Sequence, residues 1–229
     1  MPQGDLHRYF LNNGGKRLHK WLHYFEIYER YFERFRSQPI TMLEIGVHGG
    51  GSLQMWKDYF HPESTIVGID INPDCAQHAG DNVHVHIGDQ SDKAFLDELA
   101  AKYGPFDILL DDGSHVSAHV IATFEALIGH MKAQSIYLIE DMHCSYWPDY
   151  GGGVRTPGTF IEYAKERIDE LNAGYTKGQV PVTAITKRIS TIAFHDSIVA
   201  FEFEPQSRRQ HVITTGMGVP VEGTPMRQA

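Results

Sequence analysis

Short apolar runs alternate with amphipathic stretches along most of the chain, and this alternation predicts the fold. The apolar runs have the length of buried strands and lie at residues 40–45, 65–70 and 83–87, from residue 106 onward, and at 136–139. Helical periodicity separates or follows them at residues 53–60, 92–103, 117–130 and 159–172. Two β-rich runs at 189–194 and 197–203 then predict a hairpin. This order predicts an α/β protein with a doubly wound, mostly parallel, seven-stranded Rossmann-like sheet that ends in a C-terminal antiparallel hairpin.

The N-terminal and C-terminal parts of the chain have other patterns. Between residues 17 and 36, apolar side chains recur every three or four positions, which predicts one amphipathic helix whose Lys20, His23 and Tyr28 border the site. Residues 146–157 include three consecutive glycines and two prolines, the composition of a loop that closes over a site. We therefore divide the chain into an N-terminal helical cap (1–36), a catalytic domain (37–204) and a C-terminal tail (205–229).

The composition of the chain indicates which class of partner and which cellular compartment to expect. The chain has 29 acidic and 20 basic residues and a net charge of -9, which argues against nucleic acid and favours a small-molecule partner. Cys75 and Cys144 are its only cysteines, too few for a disulfide scaffold. The first residues lack the apolar core of a signal peptide, and no run approaches the roughly 18 apolar residues of a membrane span. We expect a cytoplasmic protein with no membrane partner.

Acidic residues follow two of the predicted strands. Asp111 and Asp112 end the fourth strand, and Glu140 and Asp141 end the fifth. Strand ends are often polar simply because they meet water, but ligands of open α/β sheets also bind beyond the carboxyl ends of the strands. Hard oxygen ligands suit Mg²⁺. Asp112, Glu140 and Asp141 are therefore the predicted metal ligands.

A histidine lies next to these acids. The Gly-Ser break after Asp112 is expected to carry His115 from the strand end toward the cleft. An alcohol is a weak nucleophile at neutral pH, but a divalent cation lowers its pKa and an imidazole can take its proton. We therefore predict His115 as the catalytic base, with Asp112 as its catalytic partner. A packing or capping role is the alternative for His115, and His143 is the second candidate for the base.

A glycine-rich turn follows the first strand and predicts a cofactor pocket. Gly46, Gly50 and their neighbours permit close approach of a ligand to the backbone, but their spacing is not that of a dinucleotide fingerprint. Glu44 lies within the turn, where it disfavours a diphosphate and suits a ligand with ammonium and sulfonium groups. S-adenosylmethionine is such a ligand, and NAD remains the alternative. The predicted cofactor residues of this turn are Glu44, Gly46, Gly50 and Ser52.

Further cofactor residues follow the next strands. Asp70 after the second strand is placed to bind the ribose hydroxyls. Asp89 after the third strand is a candidate partner of the adenine amino group, and Gln90 is expected to flank the ring. Asp111 is assigned to the same pocket. This arrangement of turn and acids resembles the class I S-adenosylmethionine-dependent methyltransferases, whose sheet ends in an antiparallel hairpin.

The run from Asp111 to His115, followed by Glu140-Asp141, is similar to a narrower family, the metal-dependent sugar O-methyltransferases. These include the mycinamicin type of macrolide biosynthesis and enzymes of mycobacterial polysaccharides. The resemblance extends over about residues 10–205. It implies Mg²⁺ held by Asp112, Glu140 and Asp141, with His115 as the base, and we expect a homo-oligomer. The macrolide enzymes have an additional N-terminal domain that is missing from this sequence, so their acceptor and assembly are not transferred.

The sequence thus predicts a Mg²⁺-dependent O-methyltransferase that uses S-adenosylmethionine and methylates a sugar hydroxyl of a glycosylated natural product or an oligo- or polysaccharide. His143, Tyr146 and Trp147 are the predicted acceptor residues, because aromatic faces suit sugar rings; simple loop packing is the alternative for Trp147. Three other functions stay open: methylation of a catechol or phenol, a role in modifying a β-lactam, and cofactor binding without catalysis.

Overall fold

The computed structural model describes residues 4–204, 213–214 and 220–221. The strands of its main sheet are β1 (Thr41–Ile45), β2 (Thr65–Asp70), β3 (Val83–Ile87), β4 (Phe106–Asp111), β5 (Met131–Ile139), β6 (Ile189–His195) and β7 (Ile198–Phe203). They lie in the order β3-β2-β1-β4-β5-β7-β6. Strands β1 to β5 are parallel, and β7 runs antiparallel to both β5 and β6. The predicted sheet and its C-terminal hairpin are therefore confirmed.

Helices cover both faces of this sheet. Their bounds are α1 (Asp5–Leu11), α2 (Tyr24–Phe32), α3 (Gly51–Tyr59), α4 (Lys93–Tyr103), α5 (Ser117–Leu127), α6 (Phe160–Leu171) and α7 (Ala184–Arg188). Helices α1 to α3 pack on one face, and α4 to α7 pack on the other. Alternate residues of β4 serve the two layers, since Ile108 and Leu110 belong to one and Leu109 to the other. Burial on both faces explains why the central strands have almost uniformly apolar sequences.

The N-terminal part differs from the prediction of one helix over residues 17–36. A helix that was not predicted, α1, comes first, and α2 begins only at Tyr24. Residues 13–23, which we call the N-terminal segment, have no helical structure. The aromatic spacing of a buried face holds from Tyr24 onward, but Trp21 and Leu22 are exposed while Lys20 is buried. The segment is held by contacts with distant residues instead, as where Gly51 N donates to Arg17 O at 3.2 Å.

Other element boundaries shift by a few residues. Helix α3 already begins at Gly51, which was predicted to belong to the turn, and α5 ends at Leu127 rather than at 130. Strand β5 begins at Met131, five residues earlier than predicted. Helix α4 starts as expected, because the Asp92 carboxylate accepts hydrogen bonds from the backbone N–H of Ala94 and Phe95. The glycine-containing loop after β5 includes two short 3₁₀ turns, Met142–Tyr146 and Pro148–Tyr150.

The C-terminal tail predicted at 205–229 lies largely outside the described residues. Within it, the short strands Ile213–Thr214 and Pro220–Val221 pair antiparallel. None of the helices in the described part of the chain has both the length and the apolar character needed to cross a lipid bilayer.

Candidate active site

The carboxyl ends of β1, β4 and β5 meet at one edge of the sheet, and the backbone turns sharply beyond each. His48, His115 and Asp141 have φ angles of 46°, 58° and 53°, the left-handed region that side chains with a Cβ seldom adopt. The strand ends are joined by hydrogen bonds from Asp112 N to Ile45 O and from Glu140 N to Asp111 O, each 2.9 Å. These turns direct several polar side chains into one cleft.

Three of these side chains form a group that fits a metal ion. The ligand atoms of Asp112, His115 and Asp141 all lie within 4.8 Å of one another. His115 Nε2 is 3.5 Å from Asp141 Oδ2 and 3.9 Å from Asp112 Oδ1. All three residues are partly buried, and their two carboxylates supply the hard oxygen donors that Mg²⁺ prefers. The predicted ligands Asp112 and Asp141 and the predicted base His115 are therefore brought together.

Glu140, the third predicted metal ligand, has a different environment. Its carboxylate is fully buried, and both oxygens accept hydrogen bonds from the Lys20 ammonium, at 3.0 and 2.9 Å. Tyr28 Oη donates to the same carboxylate at 2.5 Å. Lys20 also pairs with Asp112, and Glu44 lies 4.0 Å away. A lysine from the N-terminal segment thus connects the ends of β4 and β5.

Burial and charge act against each other in this cluster. Burial alone would lower the pKa of Lys20, but the carboxylates of Asp112, Glu140 and Glu44 raise it above its ordinary value. Burial, with a contribution from Asp112, raises the pKa of Glu140 well above its ordinary value, although Lys20 and Tyr28 oppose that shift. Burial likewise raises the pKa of Glu44 to about 7. A charged lysine is therefore stable here, whereas an uncompensated carboxylate is not.

A cavity of about 480 Å³ extends from these carboxylates to the glycine-rich turn. Gly46, Asp70, Asp89 and Gln90 line it, together with Asp112, His115, Glu140 and Asp141 at its other end. Its size suits a nucleoside-sized ligand. One cavity therefore joins the predicted cofactor residues to the predicted reacting residues.

Asp70 organises the turn at the cofactor end. Its Oδ2 accepts the backbone N–H of Val47 and of His48, each at 2.9 Å, and its Oδ1 accepts Asn72 N. Burial alone would raise the pKa of Asp70, but these backbone donors hold it below its ordinary value. Gly46, with φ of 92°, lies so close to the Asp112 carbonyl that a Cβ there would overlap it. A carboxylate and a glycine thus fix the shape of this wall.

Some predicted cofactor residues lie behind the wall. Glu44 and Asp111 are buried and do not line the cavity, and neither does Gly50, whose φ of 71° allows α3 to start. Ser52 lines the cavity but donates its hydroxyl to Glu44 Oε2 at 3.0 Å.

Asp89 and Gln90, which follow β3, form hydrogen bonds with neighbouring residues. Gln90 donates to Asp111 Oδ1 at 3.2 Å and accepts Ser114 N at 2.6 Å, which supports the loop before His115. Burial raises the pKa of Asp111 to about 7. Asp89 Oδ1 accepts both the N–H and the hydroxyl of Ser91.

An aromatic cluster, formed by Trp21, His143, Trp147 and Tyr150, lies beside the carboxylates. The His143 ring is 4.5 Å from Trp147 and 5.8 Å from Trp21, and Tyr150 is 6.4 Å from the ring of His115. His143 Nδ1 is 2.5 Å from Ser197 Oγ and 3.9 Å from Asp141 Oδ1. Tyr146, the remaining predicted acceptor residue, is exposed.

Lys20 and Tyr28 are predicted only to border the site, and no site role is predicted for Trp21, Tyr24 or Ser197. Tyr24 Oη donates to Asp141 Oδ1 at 2.6 Å. The signal in the sequence is a lysine at the start of an aromatic stripe.

Comparisons with known proteins add to this geometry. Residues 43–142 match a protein-family model described as a methyltransferase domain. The mycinamicin VI 2''-O-methyltransferase of Micromonospora griseorubida is 42% identical over 176 residues, which are 72% of this chain and 42% of that protein. The 8-demethyl-8-alpha-L-rhamnosyl tetracenomycin-C 2'-O-methyltransferase of Streptomyces olivaceus is 37% identical over 195 residues, 80% of this chain and 51% of that protein.

Solved structures give the same result. The MycE methyltransferase from the mycinamycin biosynthetic pathway, in complex with Mg and SAH, superposes with a TM-score of 0.77 at 35% identity, covering 89% of this chain and 55% of that chain. The same enzyme in complex with Mg, SAH and mycinamycin VI gives a TM-score of 0.76. The chain spans about half the length of the relatives that it matches.

Proposed function

We propose that the chain is a Mg²⁺-dependent O-methyltransferase that uses S-adenosylmethionine, because residues 43–142 match a methyltransferase domain and the chain is similar to sugar O-methyltransferases. Its proposed acceptor is a sugar hydroxyl of a glycosylated natural product or of an oligo- or polysaccharide. One observation carries the proposal: a single cavity joins the glycine-rich turn and Asp70 to Asp112, His115 and Asp141. A methyl donor and an acceptor hydroxyl could meet there.

Each end of the cavity has a proposed ligand. Asp70, Asp89 and the glycine-rich turn would hold S-adenosylmethionine, whose sulfonium supplies an electrophilic methyl group. Asp112, Glu140 and Asp141 would hold Mg²⁺, which when bound would lower the pKa of an acceptor hydroxyl. Both proposed ligands carry positive charge, and the acidic side chains that line the cavity would stabilise that charge.

His115 is the proposed base. Its Nε2 faces Asp112 and Asp141, so it would take the acceptor proton at that nitrogen while the two carboxylates stabilise the imidazolium that results. Loss of the proton would strengthen the nucleophile, so that the oxygen could bond to the methyl carbon while the carbon–sulfur bond breaks and S-adenosylhomocysteine leaves. The walls of the cavity would limit water near the reacting atoms.

The other functions are less well supported. The sugar O-methyltransferases among the relatives do not favour a catechol, phenol or β-lactam acceptor. The convergence of His115 with two carboxylates argues against a binding protein without catalysis. The same proposal includes the division into cap, catalytic domain and tail, a homo-oligomeric assembly, the absence of a nucleic-acid partner and a cytoplasmic location. The free thiols of Cys75 and Cys144 are consistent with a reducing compartment.

Methyl transfer from labelled S-adenosylmethionine tests the proposal directly. The protein is incubated with a panel of glycosides and of simple catechols, with Mg²⁺ and separately with EDTA. We expect label in a glycoside, abolished by EDTA and restored by added Mg²⁺. Label in catechols alone would overturn the sugar assignment, and transfer that is indifferent to EDTA would overturn the metal assignment. Binding of S-adenosylmethionine without any transfer would favour the binding protein.

A further inference from the structure

The aromatic cluster exposes two large apolar rings that the proposed chemistry does not use. The side chains of Trp21 and Trp147 are 52% and 48% exposed. Water contact with so much ring surface is unfavourable, and paired exposed aromatic residues commonly mark a binding site.

Both indoles are held in place from behind. His143 lies between them, tilted at 84° to Trp21 and at 60° to Trp147, and Ser197 fixes its ring. The backbone around Trp147 is closed by hydrogen bonds from its N–H to Cys144 O at 3.0 Å and from Gly152 N to its carbonyl at 2.8 Å. Rings that are already ordered lose little conformational entropy when a ligand binds.

The two rings differ in their distance from the chemistry. Trp21 lines the cavity that contains Asp112, His115 and Asp141, whereas Trp147 does not line that cavity and lies farther out, beside Tyr150. A ligand that fills the cavity would therefore lie beside Trp21, and a group that projects from it past Trp21 and His143 would meet Trp147.

We propose that Trp21 and Trp147 are the specificity-determining residues for the acceptor, Trp21 stacking on the pyranose that carries the reacting hydroxyl and Trp147 binding an apolar group attached to that sugar. This inference rests on the proposed function. The C–H face of a pyranose is apolar and carries partial positive charge, which matches the negative face of an indole.

Saturation-transfer NMR tests the pair on the protein loaded with S-adenosylhomocysteine and Mg²⁺. The probes are methyl and phenyl α-L-rhamnopyranoside, chosen because one relative acts on a rhamnosyl compound. We expect transfer to the ring protons of both, and tighter binding of the phenyl glycoside. Trp21→Ala should weaken binding of both probes by roughly fivefold, whereas Trp147→Ala should leave the methyl glycoside unchanged and remove the advantage of the phenyl group.

Leu22→Ala is the matched control, because Leu22 is a similarly exposed residue beside Trp21, and it should bind both probes like the wild type. Equal unfolding temperatures establish that the variants fold. Wild-type binding by both tryptophan variants, or no transfer to either probe in the wild type, would overturn the inference. Calorimetry with S-adenosylhomocysteine distinguishes failure of this inference from failure of the proposed function. If S-adenosylhomocysteine binds while the pyranosides do not, the proposed cofactor stands and the acceptor inference fails.

Discussion

His115 combines a chemical role with an uncommon backbone conformation. Its φ of 58° lies in the left-handed region, in which asparagine, aspartate and histidine occur more often than other side chains. This conformation, rather than strand or helix geometry, aims its imidazole at the two carboxylates. The loop before it is supported where Gln90 accepts Ser114 N.

A variant can remove the imidazole without disturbing that backbone. Asn adopts the same φ readily, so His115→Asn should fold normally while its turnover number falls by roughly 10²–10⁴, the usual contribution of a general base. Steady-state kinetics with the best glycoside acceptor, beside calorimetry with S-adenosylhomocysteine, measures both effects. A turnover near that of the wild type would remove His115 from the mechanism.

Glu44 gives a pH dependence whose sign follows from its burial. Its pKa of about 7 exceeds the ordinary value of 4.5, so around neutral pH the native state binds more protons than the unfolded state. The free energy of unfolding therefore falls as the pH rises through 7, and from pH 6 to pH 8 this one group lowers it by about 1 kcal/mol.

Glu44→Gln isolates that contribution, because the amide does not titrate and its oxygen can still accept the Ser52 hydroxyl. Urea unfolding of both proteins at pH 6 and pH 8 gives the comparison. We expect the wild type to lose about 1 kcal/mol more than the variant over this interval. An identical pH dependence in the two proteins would mean that Glu44 does not titrate in the native state between pH 6 and pH 8.

At the scale of elements, Gly46 determines how closely the ends of β1 and β4 approach. A Cβ there would meet the Asp112 carbonyl and would also need a φ of 92°. Gly46→Ala should therefore lower the free energy of unfolding by at least ~2 kcal/mol and weaken S-adenosylhomocysteine binding. Gly129→Ala is the control, because a Cβ at Gly129 would have open space around it. Equal stability of the two variants would contradict the close approach.

The N-terminal segment depends on Lys20 for its attachment to the sheet. Lys20→Met leaves Glu140 and Glu44 buried without their cation, so it should lower the free energy of unfolding by about 3 kcal/mol. Lys16→Met in the same segment removes only a 3.4 Å contact with a carbonyl and should change little. Urea unfolding compares the two, and equal effects would show that the buried ion pairs contribute nothing measurable.

The elements also show what sequence could and could not predict. The strands could be predicted because burial on both faces of the sheet leaves little except apolar residues in them. The convergence of Asp112, His115 and Asp141 could be predicted because parallel strands end at one edge of the sheet. The N-terminal segment was misread as a helix because local spacing says nothing about carboxylates some 90 to 120 residues away, with which Lys20 pairs. For the same reason, the burial of Glu44 and Asp111 behind the cavity wall could not be foreseen.

At the scale of the whole molecule, ligand binding is coupled to stability. A ligand at one hundred times its Kd raises the free energy of unfolding by about 2.7 kcal/mol. For a chain of this length we expect S-adenosylhomocysteine with Mg²⁺ to raise the Tm by roughly 5–10 °C, and NAD at the same concentration to leave it unchanged. Scanning calorimetry measures both. A rise in Tm with NAD alone would mean that the glycine-rich turn binds a dinucleotide instead of S-adenosylmethionine.

The left-handed turns at His48, His115 and Asp141 have a consequence for the evolution of heat resistance. Each non-glycine residue in that conformation destabilises the fold by roughly 1 kcal/mol, and glycine would relieve most of it. A library selected only for survival at high temperature should therefore accumulate glycine at these three positions. Two of these positions are the proposed base and a proposed metal ligand. The most heat-stable variants should therefore have the lowest catalytic activity.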